Sequence, residues 1–470
     1  MRQGTESGIV LLGLLAALVV AAATLEVIHF LQVAGMLVIA AIVYLRAMLR
    51  RDTDQMEPTK LIAWLYLLYF ALNSTQQEPG RLVTSALNIA LVGFAGFVLG
   101  SGIVRPYRAG ALGPAVTSSP LCPSIGRAAI VYGLGVAGLV IGIATGNFFG
   151  QYEPKNPEWR VYLGVLEMFR FVGFGLLVGL ALKRRTLAIV LLLAGAILCE
   201  TGVAVITTAK QLALYPVLMV LVLFNYTGRR IKIGTLAGIA AGAVVVFSVM
   251  YAVRTVWEGH ISSNDAGFSG VSTLIQEVPQ VLGSYGVNGL LEKHAKQSGV
   301  SRFCGAESLT YIVARGDDRA GYAGYEGMEY FLDGLIPRFL HENKRPTDYQ
   351  VMFGHEFAGI SGDINVLIPP MRIGVLYLDY GLAGVLLGEI AFGVICGWLY
   401  RRMGRSLAEL GWCVLPFYCY YLIEMCKIEV HPGEWVNAQL RSLPAMAALA
   451  FVALGGSGMR ALARGRAPRG

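Results

Sequence analysis

The sequence predicts an all-α polytopic membrane protein with about 12 transmembrane helices, eleven or twelve by inspection of its apolar runs. Three observations carry this prediction. Apolar stretches recur along most of the chain, and 55% of the 470 residues are hydrophobic against 14% charged, which excludes a string of soluble domains. Short connections join the stretches, except for one polar segment of roughly 115 residues from Arg254 to Pro369. Basic residues gather at alternate span ends, as in a chain threaded repeatedly through a bilayer.

From the N-terminus, spans are expected near 8–24, 27–45, 60–73, 82–103, 128–149, 161–182, 186–200, 211–226, 233–252, 374–400, 406–424 and 434–455. The first has Arg2 ahead of it and Ala21, Ala22 and Ala23 at its end, a signal-like arrangement, but the many later spans favour a retained helix. Arg46, Arg50 and Arg51 follow the second span, and Lys183, Arg184 and Arg185 the sixth. Arg229, Arg230 and Lys232 separate the eighth from the ninth. Arg401, Arg402 and Arg405 follow the tenth, and Arg460, Arg464, Arg466 and Arg469 end the chain. The positive-inside rule places all these clusters, and both termini, in the cytoplasm.

The formal charge of +8 is thereby a topological signal rather than a sign of nucleic-acid binding. The same parity makes the long polar segment an external loop between spans 9 and 10. Three regions follow: 1–252 with the first nine spans, 253–370 as the external loop, and 371–470 with the last three spans and a basic tail.

That loop is expected to be partly helical. Leu274, Ile275, Val278, Val281, Leu282 and Tyr285 recur at helical spacing, and Met328, Phe331, Leu332, Leu335 and Ile336 do so again before Pro337. Both sets suit amphipathic helices lying over a membrane face. Glycines repeat within spans, as at Gly133, Gly135 and Gly138 or Gly234, Gly238 and Gly242, and are expected to mark close helix approach. Of seven cysteines, five lie in or near spans or inside, leaving Cys304 and Cys426 outside; no disulfide framework follows.

The densest polar cluster runs from Ile336 to Pro346 and contains Arg338, Lys344 and Arg345, followed by Gly354-His355-Glu356 and Ser361-Gly362-Asp363. Cations at this density near an outer membrane surface suit a ligand with two or more phosphates, because Arg presents paired donors and Lys a compact charge. A solvated loop with incidental charges has the same composition. Arg254 is expected to add to such a site or to anchor at the interface, and Lys210 to line the cavity or to pair with Glu200. Glu167 and Arg170, three residues apart, are expected to neutralise one another on one helix face. Arg441, with Asn437 and Gln439, gives the last span a polar outer half and suggests a cavity open to the outside, which Arg372 would also line. His341-Glu342 and His355-Glu356 lack the spacing of a helical zinc site, so no metal is assigned. His355 is the first choice for a general base, with Glu356 and Asp363 in reserve.

The order of elements resembles the O-antigen polymerase (Wzy-type) family and its ligase relatives. The residues that carry the resemblance are Ile336-Pro337-Arg338, Lys344-Arg345-Pro346, a Gly-rich polar turn, and the run from Arg372 through Tyr380-Gly381 to Gly384, which looks like the family's aromatic-Gly-x-x-Gly pattern. The resemblance implies an inner-membrane enzyme acting on undecaprenyl-pyrophosphate-linked oligosaccharides, donor and acceptor, at the periplasmic side. Arg338 and Lys344 match the motif cations; Arg254, Arg345 and His355 enter by position and chemistry alone, and Lys210 is counted with the pyrophosphate-binding cations. It implies no cofactor, and a chain-length-regulating co-polymerase as a partner beside membrane lipids. The first external connection, near Leu25 to Val27, is too short for an acidic metal-binding loop, which favours electrostatic stabilisation of the departing pyrophosphate by Arg and Lys. Two rival readings share many of these features: a ligase, which differs only in its acceptor, and a transporter or flippase for lipid-linked oligosaccharides.

Overall fold

The structure, a computed structural model, describes residues 10–17, 27–50, 54–75, 77, 80–104, 123–145, 157–207, 210–227, 233–260, 268–298, 304–316, 353–354 and 369–464. Over these residues it is all-helical, with no β-strand. In chain order the helices are α1 (Val27–Leu49), α2 (Pro58–Tyr66, continued by a π-helical turn at Leu67–Leu72), α3 (Arg81–Ile103), α4 (Ile125–Ala144), α5 (Pro157–Lys183), α6 (Leu187–Thr207) and α7 (Lys210–Tyr226). They continue with α8 (Ile233–His260), α9 (Phe268–Ser298), α10 (Gly305–Gly316), α11 (Arg372–Leu410), a 3₁₀ turn at Gly411–Val414, α12 (Leu415–Cys426) and α13 (Pro432–Arg464).

Among the described residues, seven helices are long and apolar enough to cross a membrane, lying within α1, α3, α4, α5, α6, α11 and α13. The spans expected at 60–73, 211–226 and 233–252 fall on shorter apolar helices, Pro58–Leu72, Leu212–Tyr226 and Val245–Val256. At a rise of ~1.5 Å per residue the first of these covers about 22 Å, less than the ~30 Å of a bilayer core. Boundaries also move. Helix α6 continues to Thr207 rather than ending near 200, and α11 runs through Arg401, Arg402 and Arg405 to Leu410 instead of breaking before them. Arg254, expected just beyond a span, lies inside α8, because Ala252, Val253 and Val256 prolong its apolar face and pack against Leu274 and Val278 of α9.

The chain divides into two compact units. One contains Met1–Ala111, Gly299–Arg405 and Leu422–Arg441. Within it α1 and α3 run parallel. Gln32 donates to Asn88 at 3.2 Å across 56 residues, Gly35 faces Leu91, and the Arg46 guanidinium lies over Gly102, so one constant offset holds along the whole length. Helix α11 runs the same way against α3. A β-carbon on Gly100 would stand 2.0 Å from the Ile390 carbonyl oxygen, and one on Gly393 2.3 Å from that of Phe97, so the two backbones touch where no side chain fits. Helix α2 returns between them, opened by Pro58, whose missing N–H costs nothing at a first turn. Its Tyr66 ring stacks on Phe94 at 4.8 Å.

Helix α11 is broken at Gly381, where φ is 65° and ψ −160°, a region that essentially only glycine occupies. The residues before the break fold back along those after it. A β-carbon on Gly384 would sit 2.3 Å from that of Tyr380 and 2.7 Å from the Leu376 carbonyl oxygen. The Tyr380-Gly381-x-x-Gly384 pattern therefore encodes a reversal.

The second unit contains Leu112–Ser298, Ser406–Tyr421 and Ser442–Gly470. Here α4 and α5 are antiparallel, with Gly135 and Gly138 against Arg170 and Leu166. Ser124 caps α4 by accepting from the Arg127 N–H. Arg170 reaches Glu200 of α6 at 3.2 Å, and Tyr132 donates to the same carboxylate at 3.2 Å. The close-packing expectation holds for Gly135 and Gly138. At Gly133, Gly238 and Gly242, by contrast, no described atom comes within 4 Å of an added β-carbon.

Candidate functional site

The best-defined polar site lies in the first unit, at the end where α11 begins. Just before the helix Met371 takes a positive φ of 60°, and the Arg372 N–H donates to the Ile428 carbonyl at 2.9 Å. The reversal at Gly381 then brings Arg372 onto Glu389. Nε donates to Oε1 at 2.6 Å and Nη2 to Oε2 at 3.0 Å, a two-pronged pair with Arg372 4% and Glu389 0% exposed. The guanidinium lies 3.6 Å from the centre of the Phe392 ring, which in turn meets Trp435 edge-on. Tyr66 lies beside the pair, fully buried, and Arg372 Nη1 has no acceptor among the described residues. The two charges offset one another in a site this dry, so the arrangement is a fixed dipole rather than a free cation.

Further polar groups surround this end. Glu424 accepts from Lys427 at 2.6 Å and from Gln439 at 3.3 Å, while its carbonyl takes the Trp435 indole N–H at 2.8 Å. Tyr69, in the π-helical turn, donates to Glu429 at 2.9 Å. Asn73 accepts from the Glu307 N–H at 3.2 Å and so caps α10, and Thr310 donates to Gln77 at 3.3 Å. Burial pushes the His431 imidazole down to about 4, leaving it neutral at pH 7 with Nδ1 accepting from the Gly433 N–H. Burial, reinforced by the Glu307 carboxylate that accepts its proton, pushes the Tyr311 phenol up to about 12. Burial likewise raises the Cys304 thiol, and Cys304 and Cys426 are both free. His431, at about 4, is too weakly basic for efficient proton abstraction near neutrality, and Tyr311 and Cys304 stay protonated there.

Of the residues expected to carry chemistry, Arg338, Lys344, Arg345, His355, Glu356 and Asp363 lie outside the described residues, as do both His-Glu dipeptides and Met328 to Ile336. Arg254 is half-buried in α8, and Lys210 opens α7, both in the second unit. Arg441 lies in α13 within the first unit. Arg372 is placed fully, and it is engaged with Glu389. Arg170 and Glu200 are joined across two helices, a partnership that the spacing along either helix does not reveal. Among the described residues no three His, Cys, Asp or Glu side chains converge as a metal cage.

Sequence reasoning passed over Glu389, Tyr66, Glu424, Glu429 and His431. Glu389 carries a legible signal: a carboxylate inside an apolar span requires a partner, and Arg372 is the cation at that span's entrance. Comparison with protein-family models, curated proteins and solved structures returns no match.

Proposed function

We propose that this protein polymerises lipid-linked oligosaccharide repeats at the periplasmic face of a bacterial inner membrane. It has about 12 spans in this reading, with both termini in the cytoplasm and the segment 253–370 outside. A hydroxyl of the incoming lipid-linked repeat attacks the anomeric carbon of the growing glycan. The bond from that carbon to undecaprenyl pyrophosphate breaks, and the pyrophosphate leaves with the electron pair. His355 takes the hydroxyl proton, with Glu356 or Asp363 as the reserve base. Arg338, Lys344 and Arg345, joined by Arg254 and Lys210, stabilise the leaving group. No cofactor enters this scheme.

The observation that carries the reading is the reversal at Tyr380-Gly381-x-x-Gly384, one of the motifs of the family resemblance, which holds Arg372, just after the long segment, against Glu389. A second observation supports the orientation. Helices α1, α3 and α11 are parallel, as spans 2, 4 and 10 must be, and α10, part of the long segment, caps onto Asn73 at the end opposite the arginine clusters.

The test is a gel of surface lipopolysaccharide from the bacterium with this gene deleted. Lipid A core carrying one repeat and no longer ladder supports a polymerase. Bare core with polymer held on the lipid carrier supports the ligase. One observation favours the transporter reading: α11 is a broken helix with a buried ion pair, as transporter sites often are. That reading predicts bare core with single repeats stranded on the carrier at the cytoplasmic face.

A further inference from the structure

The opposite end of the first unit holds a feature that the polymerase reading does not use. Because α1, α3 and α11 are parallel, their C-terminal ends come together, and the arginines at the ends of α1 and α11 form one basic rim. Gly397 of α11 is level with Ser101 and Val104 at the end of α3. The next two turns of α11 project beyond that level and carry Trp398, Arg401, Arg402 and Arg405 around a cleft of about 320 Å³. Trp398 is 57% exposed, while Arg402 and Arg405 are exposed and Arg401 half-buried. A second cleft at the same end is lined by Arg46 of α1 and Arg50 just beyond it, with Ser101 and Gly102 of α3. Its acidic residue, Glu57, is engaged by Lys60 at 3.5 Å.

We propose that this rim is a binding site for the headgroup of an anionic phospholipid of the adjoining leaflet. Three observations fix the occupant. Five arginines line the two clefts against one lining carboxylate, Glu57, which Lys60 engages, so a phosphate is attracted. Guanidinium groups suit phosphate oxygens, to which they donate in pairs. Trp398 stands between the apolar length of α11 and the arginines, where an indole sits at the level of lipid headgroups while acyl chains run along the helix. A free anion would use the arginines and have no need of the indole or the apolar flank. The proposal is independent of the polymerase reading.

The experiment uses the full-length protein purified in an uncharged detergent, with its unfolding midpoint measured after addition of phosphatidylglycerol, phosphatidylcholine or inorganic phosphate. Phosphatidylglycerol is expected to raise the midpoint well above the rise given by phosphatidylcholine, and inorganic phosphate to leave it unchanged. The variant Arg401→Gln/Arg402→Gln/Arg405→Gln should lose more than half of the phosphatidylglycerol effect. So should the milder Arg402→Gln/Arg405→Gln, which changes only exposed side chains. A control, Lys183→Gln/Arg184→Gln/Arg185→Gln, removes an equally exposed basic cluster of the second unit and should keep the effect. Equal rises with both lipids, reproduction by inorganic phosphate, retention of the effect in the α11 variants, or equal loss in the control would each overturn the site.

Discussion

Arg372 and Glu389 grip one another through two parallel hydrogen bonds although seventeen residues separate them on one helix. On an unbroken α-helix that interval measures about 25 Å. The turn at Gly381 closes it, so the pair and the glycine form one device, and three of the following predictions concern it or its surroundings.

Removing one partner leaves the other charge buried without compensation. Arg372→Ala or Glu389→Ala should each cost about 3–5 kcal/mol, whereas the double change Arg372→Met/Glu389→Leu should recover most of that loss. Thermal unfolding of the detergent-purified proteins checks this. Additive losses in the double variant would show that the two residues are not coupled.

Gly381→Ala forces a β-carbon onto a backbone region reserved for glycine and should cost about 1–3 kcal/mol. Because the strain reopens the reversal, the ion pair should loosen with it. A cross-link between cysteines placed at Leu376 and Gly388, where an added β-carbon on the glycine would stand 2.7 Å from Leu376 Cδ1, should form readily in the parent and poorly in the Ala variant.

His431 gives a pH dependence whose sign can be worked out. Its folded value, about 4, lies below the unfolded value near 6.5, so the unfolded chain binds more protons between them. Stability is therefore complete above about pH 6.5 and falls as pH drops toward about 4, by up to roughly 3 kcal/mol. In His431→Asn, whose amide oxygen can still accept from Gly433, the midpoint should fall less between pH 7 and pH 4.5. Equal falls in both proteins would exclude the imidazole.

For the proposed reaction, Arg338→Ala or Lys344→Ala should abolish long polymer while the protein remains inserted and folded. Arg469→Ala, in the basic tail, should leave the ladder intact. Wild-type glycan length from the first two variants would remove these cations from the mechanism.

Much of the helical pattern is legible in the sequence, because an apolar run long enough to cross a membrane has few alternatives to a helix. Boundaries are less so where apolar residues continue past the expected end, as Val253 and Val256 do in α8 against Leu274 and Val278 of α9. The reversal at Gly381 is hidden for a different reason. An apolar span with several internal glycines reads as a continuous helix, and only the backbone angle at Gly381 shows otherwise. Partners follow the same rule. Arg170 has Glu167 three residues away, yet its resolved salt bridge is to Glu200 on another helix, since packing brings together groups that spacing cannot.

The contact of Gly100 with Ile390 also sets a timetable. A ribosome adding 5–20 residues per second needs roughly 15 to 60 s to travel from Gly100 to Gly393. Throughout that interval the glycine-lined groove of α3 lies in the membrane without the helix that fills it. Biogenesis of this protein thus requires either a lipid tail or an insertase surface to occupy the groove until α11 emerges. A chain truncated before Arg372 should accordingly cross-link from Gly100 to lipid in the first case and to the insertion machinery in the second.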